Sequence, residues 1–381
     1  MGSETCYFLK MAIFLKRKMP LFEKSPTEDE FLRTLKNSGW EFPPLKMRLR
    51  STLPPRGEVD AIVECEWAGE RVVFALKFKA SSTPRTIRDA AERTKAYAQR
   101  EDLQPLIVVP FLNPERLVEL EREGVSGMDL CGNGTVVVPG RLAVYRTGAR
   151  NKFPNSAAIK NIYQRNSSTV ARVFVARPRF GSVNEVQAEL QRRSFSAKNS
   201  VSLATVSKAL KAMQEDLIIR RDAGAISLLQ PDKLLDKLAR NYSPQKENSP
   251  VRAKVPVADT ELFATLLRAA AALDVPLAAT GTASVTRYAV MQRGPVLSVY
   301  CAEPRSLLER VAGDTGDRFP NVEIIEAREP VFYFDTRLED GFRWASPVQV
   351  YLELTRGDKR DRETAEQVRE LILNNVRTLL A

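Results

Sequence analysis

Three successive helix patterns followed by a two-strand pattern lie in the middle of the chain, and their order restricts the fold more than any other feature. Ser182-Val-Asn-Glu185 is a capping box, which predicts a helix start because its two polar side chains bond free backbone amides reciprocally. The helices are predicted over residues 167–176, 182–191 and 202–215, and the strands over residues 217–221 and 226–229. Three helices and a hairpin predict a winged helix-turn-helix.

The third predicted helix has two chemically different sides. Its apolar positions have helical spacing, and we expect them to pack on the two earlier helices: Leu203, Val206, Leu210 and Met213. The opposite side presents Thr205, Lys208 and Lys211, with Ser202 and Ser207 near its edges. Short hydroxyls and lysines can reach base edges or phosphates in a major groove. The same pattern is also typical of a solvated helix face.

The positive charge of the chain is concentrated in this region. Residues 151–250 hold 17 Lys/Arg against 8 Asp/Glu, whereas residues 1–150 hold 24 against 20 and residues 251–381 hold 17 against 19. Cations that neutralise phosphates release condensed counterions, so a focused basic segment favours nucleic-acid binding over a merely solvated basic face. We therefore predict binding of double-stranded DNA, with Arg220 and Arg221 of the hairpin as further contacts.

Residues 25–150 predict a separate mixed α/β domain. Its helices are predicted over residues 27–37, 84–100 and 114–123, and its strands over residues 58–67, 71–79, 105–110, 135–138 and 142–145. Asp60 on the first strand and Ala75-Leu-Lys77 on the second resemble the restriction-endonuclease-like PD-(D/E)xK fold. In that fold the two acids bind a divalent metal ion and the lysine stabilises the attacked phosphate.

The nuclease resemblance implies that Asp60 and Lys77 would be the catalytic residues and Asp60 a metal ligand. Ala75, however, stands where the second acid is expected, and a hard divalent ion gains much of its affinity from several carboxylates. Strand alternation leaves three acids that could replace it on the face of Asp60: Glu58, Glu64 and Glu66. We favour the interpretation that Asp60 and these three acids are solvent-facing strand residues. The domain is then degenerate, and Mg²⁺ is a cofactor only if it is a nuclease.

A polar stretch, NYSPQKENSP at residues 241–250, lacks apolar periodicity and carries two prolines, so it predicts a linker that we assign to residues 241–255. It separates the predicted DNA-binding domain, residues 160–240, from a third domain, residues 256–381. That domain is predicted to be α/β, with helices over residues 260–273, 304–311 and 361–379 and strands over residues 296–301, 331–333 and 348–354. The fold class is therefore a multidomain combination of α/β and α+β domains.

Several short motifs resemble the AbiEi-type transcriptional regulators, which are the antitoxins of type IV toxin–antitoxin systems. The motifs are Met128-Asp-Leu-Cys-Gly-Asn-Gly134, Ile159-Lys-Asn-Ile162, Leu203-Ala-Thr-Val-Ser-Lys208, Ala279-Thr-Gly-Thr-Ala283 and Ala345-Ser-Pro-Val-Gln-Val-Tyr-Leu352. The resemblance implies a winged helix that binds promoter DNA and a C-terminal AbiEi-like domain with an antitoxin or regulatory role. It also implies a nucleotidyltransferase-like toxin as partner.

Composition excludes several classes of function. The chain has no histidine, so Ser-His-Asp and Cys-His catalysis and histidine metal sites are excluded. Its four cysteines form no CxxC pair, which argues against a disulfide framework or a cysteine zinc site: Cys6, Cys65, Cys131 and Cys301. The early apolar stretch at residues 7–15 is interrupted by Lys10 and lacks a cleavage signal. We expect no membrane association and a cytoplasmic location.

Three functions remain open at this stage. The leading interpretation is a sequence-specific transcriptional regulator, and a homodimer would allow it to bind two half-sites. The second is a metal-dependent DNA endonuclease that the winged helix delivers to duplex DNA. The third is a protein-binding antitoxin that acts only through its last domain, for which deletion of residues 160–240 would leave function intact.

Overall fold

The computed structural model describes residues 22, 24–52, 57–153, 161–195, 201–222, 224–243, 250–291, 294, 296–316, 318–339 and 341–381. These residues form a mixed α/β chain with two compact units, one up to Ile159 and one from Lys160. Cys6, the stretch at residues 7–15 and the first two residues of the Ile159 motif lie outside the described residues. Within the described ranges, no helix has both the length and the apolar character that a membrane span needs.

An eight-stranded sheet forms the centre of the first unit. Its helices are α1 (Glu28–Ser38), α2 (Pro84–Arg100) and α3 (Pro114–Arg122). Its strands are β1 (Trp40–Phe42), β2 (Leu45–Thr52), β3 (Ala61–Trp67), β4 (Glu70–Phe78), β5 (Gln104–Val109), β6 (Ser126–Asp129), β7 (Gly134–Val138) and β8 (Leu142–Arg146). The strands lie in chain order. Strands β4 and β5 and strands β5 and β6 pair parallel, and the other neighbours pair antiparallel.

Strand β4 shows why this sheet is covered on both faces. Phe74, Leu76 and Phe78 belong to the core on the side of α1, where the rings of Phe31 and Phe78 stack at 4.4 Å. Ala75 belongs to the core on the other side, together with Ala98 of α2. Because alternate residues of a strand point to opposite faces, a strand buried on both faces is apolar along most of its length, and Lys77 is the buried charged residue of β4. The predicted helices and the β3–β4 hairpin are confirmed; strands β1, β2 and β6 were not predicted.

The second unit contains nine helices among its described residues, and they are α4 (Ser168–Ala176), α5 (Val183–Arg193), α6 (Leu203–Glu215), α7 (Pro231–Asn241), α8 (Asp259–Ala272), α9 (Gly281–Val285), α10 (Pro304–Arg310), α11 (Pro347–Leu354) and α12 (Lys359–Leu380). Two 3-10 turns are Arg165–Ser167 and Pro330–Tyr333. The strands are β9 (Arg179–Phe180), β10 (Ile219–Asp222), β11 (Ala225–Leu228), β12 (Val251–Lys254), β13 (Leu277–Ala279), β14 (Leu297–Cys301), β15 (Asp314–Thr315), β16 (Val322–Glu326), β17 (Arg337–Glu339) and β18 (Phe342–Trp344).

These strands form two sheets. A three-stranded sheet has the order β10-β11-β9, and its strands and three helices occur along the chain in the order α4, β9, α5, α6, β10, β11. A seven-stranded sheet has the order β15-β12-β16-β14-β13-β18-β17 and carries the C-terminal core. Strand β12 begins at Val251, so the connection between α7 and this sheet spans only residues 242–250, of which 244–249 lie outside the described residues. The predicted linker, residues 241–255, was drawn too long.

Two predicted strands of the C-terminal part are wrong. Residues 331–333 lie in a 3-10 turn, and residues 348–354 form helix α11. The sequence Val-Gln-Val-Tyr-Leu-Glu-Leu alternates apolar and polar residues as a half-buried strand does. Helix α11 is enclosed on almost every side, so it has no polar face to give helical periodicity, and its start is fixed instead by the Ser346 cap and Pro347.

Candidate nucleic-acid interface

Helix α6 starts at a side-chain cap. The Ser202 hydroxyl accepts a hydrogen bond from the Thr205 backbone N–H at 3.3 Å, and the Ser202 and Thr205 hydroxyl oxygens lie 3.0 Å apart. The buried side of the helix consists of Val206, Ala209, Leu210 and Met213. Leu203, predicted to belong to this side, is 42% exposed, because it lies in the first turn at the edge of the apolar stripe. That part of the prediction was wrong.

The exposed side of α6 carries most of the predicted DNA contacts. Ser207, Lys208 and Lys211 are exposed, and Ala204, also exposed, lies one turn before Ser207 and Lys208. Thr205 is half-buried on the flank of this side and is held by the cap, so its hydroxyl is the least available of the predicted set. Neither lysine forms an ion pair within the part of the chain that the structure describes.

The hairpin of β10 and β11 separates the two predicted arginines. Arg220 lies opposite Ser227 of β11, and Ser227 lies opposite Arg179 of β9, so these three residues form a row across one face of the sheet. Arg221 is exposed but is one position further along the strand, and it therefore lies on the other face. Arg220 also pairs with Asp222 at 2.8 Å. Arg179 was not predicted, because a two-residue strand has no recognisable pattern.

Helix α4 is joined to the C-terminal part by a buried polar cluster, which we call the Arg172 cluster: Arg172, Tyr242, Thr280, Tyr300, Gln349 and Glu353. Arg172 Nη1 donates to Gln349 Oε1 at 2.8 Å and to the Val331 carbonyl at 3.4 Å, whereas Arg172 Nε has no partner among the described residues. Burial lowers the pKa of Arg172 to about 10. The guanidinium therefore stays charged at neutral pH while it is removed from water.

Gln349 connects this arginine to an acid. Gln349 Nε2 donates to Glu353 Oε1 at 2.9 Å and to the Tyr300 hydroxyl at 3.0 Å, and the Thr280 hydroxyl donates to Glu353 Oε2 at 2.7 Å. Burial raises the pKa of Glu353, and these hydrogen bonds oppose that rise. The amide thus bridges a buried cation and a buried acid, and it fixes helix α4 against helix α11.

A second connection runs from the end of helix α5. Arg193 pairs with Asp335 at 2.5 Å, and the Asp335 backbone N–H donates to the Arg193 carbonyl at 2.9 Å. Glu189 accepts hydrogen bonds from Arg192 and Arg193, which hold the pKa of Glu189 at about 2. The three-helix part and the C-terminal sheet therefore pack as one unit rather than as two tethered domains.

In the first unit, Asp60 and Lys77 form an ion pair and both are buried. Lys77 Nζ also donates to the Gly57 carbonyl at 3.0 Å, and the Phe78 backbone N–H donates to the second carboxylate oxygen of Asp60 at 2.8 Å. The interpretation of Asp60 as a solvent-facing strand residue was wrong. Asp60 precedes β3, and its backbone N–H pairs with the Leu76 carbonyl, which turns its side chain towards Lys77.

Glu28, the first residue of α1, is the second carboxylate of this cluster. Partial burial and the negative charge of Asp60 raise the pKa of Glu28. Sequence reasoning missed Glu28 because a first-turn acid is also the ordinary complement of a helix dipole, and only the tertiary fold brings α1 to β4.

The three acids considered as replacements for the missing nuclease acid lie elsewhere. Glu58 pairs with Arg100, Glu64 pairs with Arg50 at 2.5 Å, and Glu66 lies opposite Lys46 two residues further along β3. Both oxygens of Asp60 already have protein donors, and the described residues contain no cluster of three metal-ligating side chains. As placed, these residues do not fit a magnesium site, which needs several free carboxylate oxygens.

Glu28 predicts a pH dependence of stability. Because the pKa of Glu28 is raised in the folded chain, the folded state binds its proton more tightly than the unfolded state does. The free energy of unfolding therefore falls as pH rises from the ordinary glutamate value of 4.5 to the raised folded value, and the penalty persists at neutral pH. Glu28→Gln should be more stable than the wild type at pH 7, with the difference vanishing near pH 4. Urea unfolding at several pH values measures this; a difference that grows at low pH would contradict it.

Comparison with known proteins finds a family match in the C-terminal part of the chain. Residues 227–374 match the family described as "Transcriptional regulator, AbiEi antitoxin, Type IV TA system". This AbiEi match supports the predicted resemblance over less than half of the chain. No curated protein and no solved structure matches the chain.

The AbiEi match begins inside the hairpin and ends inside the last helix. It includes Ser227 of β11, Gln349 and Glu353 of the Arg172 cluster, and most of α12. It excludes helix α6 and the whole first unit. The match therefore supports the family over the segment that contacts α4 through the Arg172 cluster. It gives no support to α6, whose assignment to DNA binding rests on the geometry of that helix.

Proposed function

We propose that the protein is a transcriptional regulator that binds duplex DNA through a winged helix built from α4, α5, α6 and the sheet of β9, β10 and β11. The element order helix, strand, helix, helix, strand, strand supports this proposal, because winged helices have it. The basic charge of residues 151–250 and the AbiEi match, whose family description names transcriptional regulators, add independent support.

The observation that carries the proposal is the exposed side of α6. Val206, Leu210 and Met213 are fully buried against the rest of the unit, so only the opposite side of the helix is available to contact DNA. That side presents Lys208 and Lys211 on consecutive turns, and neither lysine forms an ion pair with another described residue. These two lysines and the Ser207 hydroxyl, on a firmly packed helix, fit the phosphates that border a major groove.

Fluorescence anisotropy of a labelled duplex from the region upstream of the protein's own coding sequence tests this proposal. Removing two phosphate contacts in Lys208→Ala/Lys211→Ala should weaken binding and reduce the slope of log K against log salt by about two. Lys254→Ala/Lys359→Ala, which removes two exposed lysines of the C-terminal part, is the matched control and should keep both affinity and slope. Equal loss in the two double variants would refute the assignment of α6.

An antitoxin role, with a nucleotidyltransferase-like toxin as partner, is the finer part of the proposal. It is supported by the description of the matched family, and we expect a cytoplasmic location. If the protein acts only as a protein-binding antitoxin, Lys208→Ala/Lys211→Ala should still neutralise the toxin of the neighbouring gene in co-expression. This variant is sharper than deletion of residues 160–240, because that deletion would also remove Arg172 from the buried cluster. A homodimer, testable by light scattering, stays a prediction.

The endonuclease is the second candidate, and Glu28 is the observation in its favour. It places a second carboxyl beside Asp60 and Lys77, although Ala75 and the closed ion pair oppose metal binding. The same binding reactions, run with magnesium and then on a denaturing gel, separate the two functions. Intact DNA supports the regulator; cleavage that disappears in Asp60→Asn would make the protein a nuclease.

A further inference from the structure

The first turn of helix α6 presents apolar side chains where a DNA-binding helix contacts bases. Leu203 is 42% exposed and Ala204 is exposed beside it. In helix-turn-helix proteins, the N-terminal residues of the second helix of the motif touch base edges in the major groove. An exposed leucine at this place is therefore either incidental or a contact with an apolar group of the DNA.

The polar residues of the same turn are committed elsewhere. The hydroxyls of Ser202 and Thr205 form the cap of the helix, and Thr205 is half-buried. Lys208 and Lys211 lie on the following turns, where they suit phosphates. Leu203 and Ala204 are thus the side chains of the first turn that are both exposed and uncommitted.

One apolar group is available in the major groove of DNA, the 5-methyl of thymine. We propose that Leu203 and Ala204 contact thymine methyl groups, so that the duplex bound by α6 carries thymines at the positions facing its first turn. This inference rests on the proposed function and deepens it by naming a base preference. Ser207, one turn after Leu203, hydrogen-bonds without favouring one base, which leaves the preference to the two apolar residues.

The test compares the upstream duplex with the same duplex synthesised with deoxyuridine in place of every thymidine. Deoxyuridine lacks only the 5-methyl, so pairing is retained. Wild-type protein should bind the deoxyuridine duplex at least about fourfold more weakly, which is the effect of one buried methyl group. Leu203→Ser/Ala204→Ser should bind the two duplexes with equal affinity. Leu379→Ser, which changes a leucine of α12 that is 55% exposed, is the matched control and should keep the wild-type preference.

The outcomes distinguish the inference from the function on which it rests. Equal binding of both duplexes by the wild type overturns the methyl contact and leaves DNA binding standing. A preference that survives in Leu203→Ser/Ala204→Ser also overturns it, because DNA shape or another residue is then responsible. Binding of neither duplex removes the proposed function as well. If the double variant binds too weakly to measure, Leu203→Val shortens the side chain by one methylene and should show a preference below that of the wild type.

Discussion

Replacing Lys77 by Met is expected to reduce the free energy of unfolding by about 3–5 kcal/mol, the usual cost of leaving one partner of a buried ion pair alone. Lys77 Nζ donates to Asp60 and to the Gly57 carbonyl, and both charged side chains are almost fully removed from water. Without the ammonium, the Asp60 carboxylate keeps the Phe78 N–H and the neighbouring Glu28, which adds negative charge. Urea unfolding of the full chain, with hydrogen exchange at β3 and β4, measures the loss and locates it.

Two further variants separate a buried charge from a general effect of losing a cation. Arg50→Met removes the exposed pair with Glu64, in which the arginine side chain is 55% exposed, and should change stability by about 0–1 kcal/mol. Lys77→Met/Asp60→Leu removes both charges and should recover most of the loss, because apolar replacement of a whole buried pair is often neutral. A Lys77→Met protein as stable as Arg50→Met would show that the pair contributes nothing.

Several elements of both units were predictable because they carry local sequence signals. Helix α2 starts at Pro84 and ends at Arg100 as predicted, and strand β4 follows β3 across a two-residue turn. Capping was predicted in part: the Ser182 hydroxyl accepts the Glu185 N–H, but the Glu185 carboxylate binds the Gly181 N–H and Arg177 instead of completing the box. Local sequence determines where such elements begin and end.

The residues that sequence reasoning missed are those determined by distant parts of the chain. Glu28 meets Asp60 only because α1 packs on the sheet, and Arg172 meets Gln349 across 177 positions of sequence. A buried arginine inside the apolar run of α4 gives no signal of its partner. Helix α11 was mistaken for a strand for the same reason, since enclosure on all sides removes the periodicity that distinguishes the two.

The Arg172 cluster predicts the second large effect. Arg172→Met should reduce the free energy of unfolding of the second unit by about 2–4 kcal/mol, because Gln349 loses a charged donor and the buried acid loses its nearby cation. Because α4 packs against the buried side of α6, we expect the loss of stability to be accompanied by a lower affinity for the upstream duplex. Hydrogen exchange at the amides of α4 and α11 measures the loss of stability, and fluorescence anisotropy measures the affinity for DNA.

A variant of a second arginine, Arg165, provides the comparison for Arg172→Met. Arg165→Met removes an exposed pair with Glu329, at 3.6 Å, that also joins the three-helix part to the C-terminal part, and it should cost about 0–1 kcal/mol. Glu353→Gln keeps an acceptor for Tyr300 and removes a carboxyl whose pKa is raised by burial, so it should be milder than Arg172→Met. Equal effects of Arg172→Met and Arg165→Met would mean that the buried cluster does not hold α4 in place. The position of α6 would then depend on apolar packing alone.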